Sequence, residues 1–188
     1  MTAVIPMRGC TPGAVAVQVL NSGERQVIRK SVADTANGTL VVPLSGSARL
    51  ELVDNSKSFA DVPAGNWAAN AVAFASSHEL FNGVSETAFA PNDSMTRGML
   101  AVVLHNLERN PAPSSNSRFP DAGGSWYTDA VSWVVEKGIA SGYPDGTFAP
   151  NASVTREQLV VMLWRYAGSP TVSGGSAGRF ADSDAVSS

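Results

Sequence analysis

The sequence predicts a chain that is mainly α in a set of tandem helix–loop–helix modules, preceded by a small antiparallel β segment. The first observation behind this is a repeated motif. Phe59-Ala-Asp61, Phe119-Pro-Asp121 and Phe180-Ala-Asp182 open three units at a spacing of about sixty residues, longer than the common solenoid periods. The second is strict register behind the first two starts. Trp67 matches Trp126, Gly83 matches Gly142, and Phe89-Ala-Pro-Asn92 matches Phe148-Ala-Pro-Asn151. Ser94-Met-Thr-Arg97 matches Ser153-Val-Thr-Arg156, and Leu100 and Leu104 match Leu159 and Leu163, with no gap. The third is a change of texture, because residues 1–57 carry a period of two rather than a helical period. The expected organisation is a β-rich segment over 1–57, modules over 59–110 and 119–167, and the start of a third module over 180–188. A third unit that stops so soon after its start marks the chain as an expected fragment.

In the β segment, Val15-Ala-Val17-Gln-Val19 alternates, and Asn21-Ser-Gly23 reads as a turn. Val27 and Ile28 form a second short run, and Ala36-Asn-Gly38 is another turn signal. Leu40 to Leu44 and Ala48 to Val53 complete a meander of four short strands. Four such strands make a thin core, so the segment is expected to end a larger β-domain.

In each module the first helix is expected from Trp67 to about Leu80, and from Trp126 to about Lys137, with Gly138 just past the end. Tyr143-Pro-Asp-Gly146 is a turn with Pro at its first central position. Thr96 and Thr155 are natural N-caps for the second helix. The core is expected to hold Phe74, Leu100, Leu104, Trp133, Leu159 and Leu163. Asn110 to Asn116 and Gly168 to Gly175 are Pro-, Ser- and Gly-rich linkers. Two modules leave apolar faces that a third would cover, so self-association or low stability is expected.

Composition narrows the function. The chain has 188 residues, 44 % of them hydrophobic, and a net charge of -3, with an isoelectric point near 5.3. Nothing there favours nucleic acid, and no basic run suits an anionic membrane. No apolar stretch reaches the ~20 residues of a spanning helix, and the first residues do not read as a signal peptide. Cys10 is the single cysteine, which excludes an internal disulfide and a cysteine-based zinc site. No nucleophile, zinc-protease or phosphate-loop motif is present. His78 and His105 have no counterpart in the second repeat. Asp145 alone is far short of calcium's oxygen set. No cofactor and no enzyme activity are expected.

The motif set closely resembles the S-layer homology module. The second repeat carries Phe119, Asp121, Trp126, Gly142-Tyr-Pro-Asp-Gly-Thr-Phe-Ala-Pro150 and Thr155-Arg-Glu-Gln158. The first carries Phe59, Asp61, Trp67, Gly83, Phe89-Ala-Pro91 and Thr96-Arg-Gly-Met99. The resemblance covers residues 59 to 188. It implies an extracellular, non-catalytic anchor in a bacterial cell wall or S-layer, binding secondary cell-wall polysaccharide, often pyruvylated, in grooves between three modules. The family's groove residues carry over to Asp61, Trp67, Arg97, Asp121, Trp126 and Arg156. The family's Ala-Glu after Thr-Arg is Gly98-Met99 in one copy and Glu157-Gln158 in the other. Alternative readings are a protein–protein assembly module and the wall-binding tail of an upstream surface enzyme.

Each site residue has a plainer reading as well. A guanidinium at a helix N-terminus suits a carboxylate-bearing sugar, and it equally suits an ion pair with Asp61 or Asp121. Trp67 and Trp126 could offer faces to a sugar, but filling the core between helices is the reading that aromatic area favours. Asp61 and Asp121 read first as caps of the Trp helix.

Overall fold

The computed structural model describes residues 1–171. Six strands are present among them: β1 (Thr2–Pro6), β2 (Ala14–Val19), β3 (Arg25–Val27), β4 (Val32–Asp34), β5 (Thr39–Pro43) and β6 (Arg49–Asp54). They form two three-stranded antiparallel sheets, ordered β1-β5-β4 and β3-β2-β6. Four α-helices follow: α1 (Ala69–Ser77), α2 (Arg97–Leu107), α3 (Thr128–Glu136) and α4 (Arg156–Tyr166), with a 3-10 turn at Pro120–Ala122 before α3. The expectation of mainly α repeats behind one small β segment is therefore wrong. Two sheets precede the repeats, and the helices are only 9 or 11 residues long between extended loops.

The four-strand meander also fails, for a physical reason. Alternation fixes which face of a strand is buried, but not which strand it pairs with. β2 pairs with β3 and with the distant β6, Ala14 facing Asp54 and Val19 facing Arg49. β5 takes β1 and β4 as neighbours. β4, at three residues, is too short to show a period. Ala14 and Ala16 of one sheet and Leu40 and Val42 of the other share one core with Ile28. Val15 and Val17 are buried on the opposite face of β2, and α1 packs on that strand.

The chain divides into two compact units. One is Met1–Asp93 with Asn106–Arg109, and the other is Ser94–His105 with the described chain from Asn110. The first unit holds the sheets, α1 and its loop. Arg29 donates to the Asn106 carbonyl at 2.8 Å and to Glu79 at 3.1 Å, and Lys30 pairs with Glu108 at 2.6 Å.

His78 sits at the end of α1, fully buried. Its Nε2 lies 2.9 Å from the Ser31 carbonyl oxygen and its Nδ1 2.7 Å from that of Phe74. Burial pushes the imidazole pKa down, more than the two carbonyls raise it. Below the ordinary histidine value of about 6.5 the unfolded chain takes a proton that the folded chain refuses, so stability falls with pH. Urea unfolding is expected to show this loss as pH drops from about 7 toward the folded-state pKa. The slope should shrink in His78→Gln, and an identical slope in that variant would assign it to other groups.

The helices follow the sequence more closely. Thr155 accepts from the Gln158 amide at 3.2 Å while the Gln158 side chain accepts from the Thr155 amide at 3.4 Å, a complete capping box. Glutamine thus fills the role of the absent acidic residue. Thr96 caps α2 through the Met99 amide at 3.2 Å. Gly138 ends α3 in the left-handed region at φ 68°, and its counterpart after α1, Glu79, adopts φ 57° without that freedom. Leu100, Leu104 and Trp133 are buried as expected. Phe74 and Leu159 are half-buried, and Leu163 is exposed, contrary to expectation.

Candidate functional site

Each repeat builds its long loop on the Phe-x-Asp start. The Asp61 carboxylate accepts from the amides of Phe89 at 2.9 Å and Ala90 at 2.8 Å. Asp121 does the same for Phe148 at 3.0 Å and Ala149 at 2.7 Å. The clasp holds Ala90 at φ 58° and Ala149 at φ 53°, a conformation alanine does not favour. The start phenylalanine packs on the loop phenylalanine, with centroids 5.3 Å apart for Phe59 and Phe89 and 5.7 Å for Phe119 and Phe148. A Cβ on Gly83 would stand 2.6 Å from the Ala88 oxygen, and one on Gly142 2.7 Å from the Thr147 oxygen. The recurrent glycines are thus required by close approach.

Among the described residues neither aspartate caps a Trp helix or meets an arginine, and both carboxylates are engaged by the loop amides instead. The two amides hold the Asp61 carboxyl below its usual pKa. That contribution is present above the ordinary carboxylate value and lost as pH falls through the lowered one. Asp61→Asn removes the charge and half of the acceptor pair. Hydrogen exchange at the Phe89 and Ala90 amides is then expected to accelerate, and unchanged protection there would refute the clasp.

The two arginines part company. Arg97, only 6 % exposed, donates from Nε to the Phe148 carbonyl and from Nη2 to the Ser141 carbonyl, both at 2.9 Å. Its guanidinium lies 4.8 Å from the Tyr143 ring centroid and 4.7 Å from that of Phe148. The beginning of α2 is thus plugged into the loop of the second repeat, inside one compact unit. Arg97 meets backbone carbonyls rather than a carboxylate. Arg156, its counterpart at the start of α4, is exposed.

The tryptophans are the larger surprise. Trp67 is 96 % exposed and Trp126 65 %, which overturns the core-filling reading. Both stand just ahead of a first helix, and Trp126 meets Tyr127 edge-on at 5.2 Å. Trp133 is the buried indole of the second repeat.

One residue escaped the sequence reading. Arg118 borders a hollow of about 270 Å³ with Phe119, Gly142, Tyr143 and Gly146. Its guanidinium is 5.3 Å from the Phe119 ring centroid. It precedes the Phe-x-Asp motif, where the first repeat has Ser58, so repetition gave no signal for it. The Tyr143 hydroxyl on this loop accepts from Gln158 at 3.1 Å. Asp145 accepts from the Thr147 amide and hydroxyl at 2.9 and 2.7 Å, which fixes the turn.

This paired architecture matches a family model for the S-layer homology domain at 58–98 and 118–160. The two segments are S-layer homology domains. Each match includes the aspartate, tryptophan and arginine of its repeat. The start of a third module at 180–188 lies outside the described residues. Over 153 residues the chain is 30 % identical to cell surface glycoprotein 1 of Acetivibrio thermocellus, covering 76 % of this chain and 6 % of that protein. It is 32 % identical over 117 residues to a cellulosome-anchoring protein of the same organism, covering 60 % of this chain and 26 % of the relative. It is also 32 % identical over 127 residues to an endoglucanase of Bacillus sp. strain KSM-635, covering 68 % and 13 %. The chain spans a small part of each of these relatives. The S-layer homology domains and these relatives place it outside the cell, at the bacterial wall or S-layer. Such domains also accompany enzymes, as the endoglucanase shows. No helix among the described residues is long and apolar enough to cross a membrane.

Proposed function

We propose that this chain is a non-catalytic wall anchor whose two S-layer homology domains hold secondary cell-wall polysaccharide by stacking sugar rings on Trp67 and Trp126. The observation that carries this reading is the matched exposure of the two indoles, 96 % and 65 %. A large aromatic surface left in water at the same register position in both repeats adds no packing, but it suits a ring with an apolar face and a polar edge. The hollow beside Arg118 and Tyr143 supplies a guanidinium for an acidic substituent such as a pyruvate ketal. Arg97 drops from the ligand set, because its donors and rings are already engaged. Asp61 and Asp121 act by shaping the loops. The name of the cellulosome-anchoring relative agrees with an anchoring role. A pull-down on polysaccharide-bearing walls tests the proposal. Binding is expected to disappear when the polymer is stripped chemically, and binding that survives stripping would point to a protein partner instead.

A further inference from the structure

A cavity of about 410 Å³ lies in the first unit, lined by the start of β1, the turn after β3, the end of β5 and the end of α2. Its volume falls in the range of small-molecule sites, roughly 300–1,000 Å³. Buried Ile28 and half-buried Leu44 and Leu107 make part of its wall apolar. Arg29, Lys30, Glu108 and Arg109 bring charge to it. Arg29 donates to Glu79 at 3.1 Å, and Lys30 pairs with Glu108 at 2.6 Å. Arg109 donates instead to a neutral group, the Gln18 side-chain oxygen at 3.3 Å. These five charged side chains sum to one positive charge, in a chain whose net charge is -3.

Repetition shows that the module does not require these charges. At the offset that relates Arg97 to Arg156, the second repeat has Gly138, Ala167 and Gly168 where the first has Glu79, Glu108 and Arg109. The two glycines lie at φ 68° and 84°, and Glu79 and Arg109 at 57° and 66°. Glycine holds that conformation freely, whereas a residue with a Cβ is strained there. Glu79 has a structural use for its place, since it anchors Arg29. Arg109 bears the same strain beside the cavity, and a neutral contact at 3.3 Å gives little in return. Strain of this kind gathers at ligand sites, where it sets a side chain in position.

We propose that this cavity binds a sugar carrying a carboxylate, with the ring against Leu44 and Leu107 and the carboxylate on Arg109. A guanidinium accepts a carboxylate in a planar fork. One carboxylate matches the single excess charge, whereas a phosphate monoester brings nearly two negative charges beside Glu108. The apolar wall next to the cations suits a ring with one apolar face rather than a bare anion. The place of the chain at the bacterial wall makes that ring a sugar. The site uses neither Trp67 nor Trp126, so it stands or falls apart from the polysaccharide reading.

Amide chemical shifts of the isotope-labelled chain, titrated at neutral pH with glucuronic acid, glucose or inorganic phosphate, supply the test. Glucuronic acid is expected to shift the Leu44, Leu107 and Glu108 amides saturably. Glucose and phosphate should bind about tenfold or more weakly, each lacking one half of what the cavity recognises. Arg109→Gly should weaken glucuronic acid binding by a similar factor. Its melting temperature should hold or rise, because glycine is free at φ 66°. A purely structural Arg109 predicts the reverse, a fall in melting temperature on substitution, and that result would overturn its ligand role. Glucose or phosphate binding as tightly as glucuronic acid overturns the ligand class. Shifts confined to the second-repeat loop around Phe119 and Tyr143, or wild-type affinity in Arg109→Gly, overturn the site.

Discussion

Replacing Arg97 with alanine is expected to destabilise the unit formed by residues 94–105 and the second repeat by about 3 kcal/mol, the size of two charge-assisted hydrogen bonds. The Phe148 and Ser141 carbonyls each lose a donor at 2.9 Å. The first loss is the greater, because Phe148 is fully buried, and a buried acceptor left unpaired forfeits its full desolvation cost. Loss of the guanidinium over Tyr143 and Phe148 adds to this, at roughly 0.5–2 kcal/mol for a cation over a ring. Lysine at 97 keeps the charge but not the planar fork that reaches both carbonyls, so it should recover a minor part. Arg156→Ala is the internal control. Its residue heads an equivalent helix but is exposed, so the change in stability should stay within about 0.5 kcal/mol. Urea unfolding of the two variants at a concentration where the chain is monomeric decides the matter. Equal midpoints for Arg97→Ala and Arg156→Ala would mean that the plug carries no stability.

That contrast also explains what the sequence could and could not reveal. Properties decided within a few residues were legible. Thr96 and Thr155 cap their helices, Gly138 ends α3, and Gly83 and Gly142 sit where a Cβ would collide with the loop. Repetition made these signals stronger, since each appeared in two places at one register. Properties decided by a distant neighbour were not legible. Arg97 and Arg156 share the same Thr-Arg context, yet one is buried in a loop some fifty residues away and the other is exposed. No local pattern can separate two identical motifs with different surroundings. Leu104 and Leu163 divide in the same way. The sheets fail by the same logic, since β2 pairs with β6 across an intervening sheet. Arg118 was hidden for a different reason, being part of only one repeat.

The tryptophans carry the largest expected effect on function. Trp126→Ala and Trp67→Ala should each weaken wall binding by about 2 kcal/mol, roughly thirtyfold, the loss typical of an aromatic that dominates an interface. The double variant should retain little binding, because both proposed sugar platforms are then gone. Stability is the decisive companion measurement. Trp67 is 96 % exposed, so truncating it leaves no cavity and uncovers no buried group, and the melting temperature should hold. Among the described rings Trp126 meets Tyr127 alone, in a T-shaped contact, so a small decrease is the most its loss should produce. A buried aromatic behaves otherwise, because truncation costs about 3–5 kcal/mol through lost transfer energy and the cavity left behind. The core-filling reading therefore requires a collapse of melting temperature in step with binding. Wall pull-down and thermal unfolding on the same preparations separate the two. Loss of binding at constant melting temperature supports the indoles as sugar platforms, and full binding in the double variant would eliminate them.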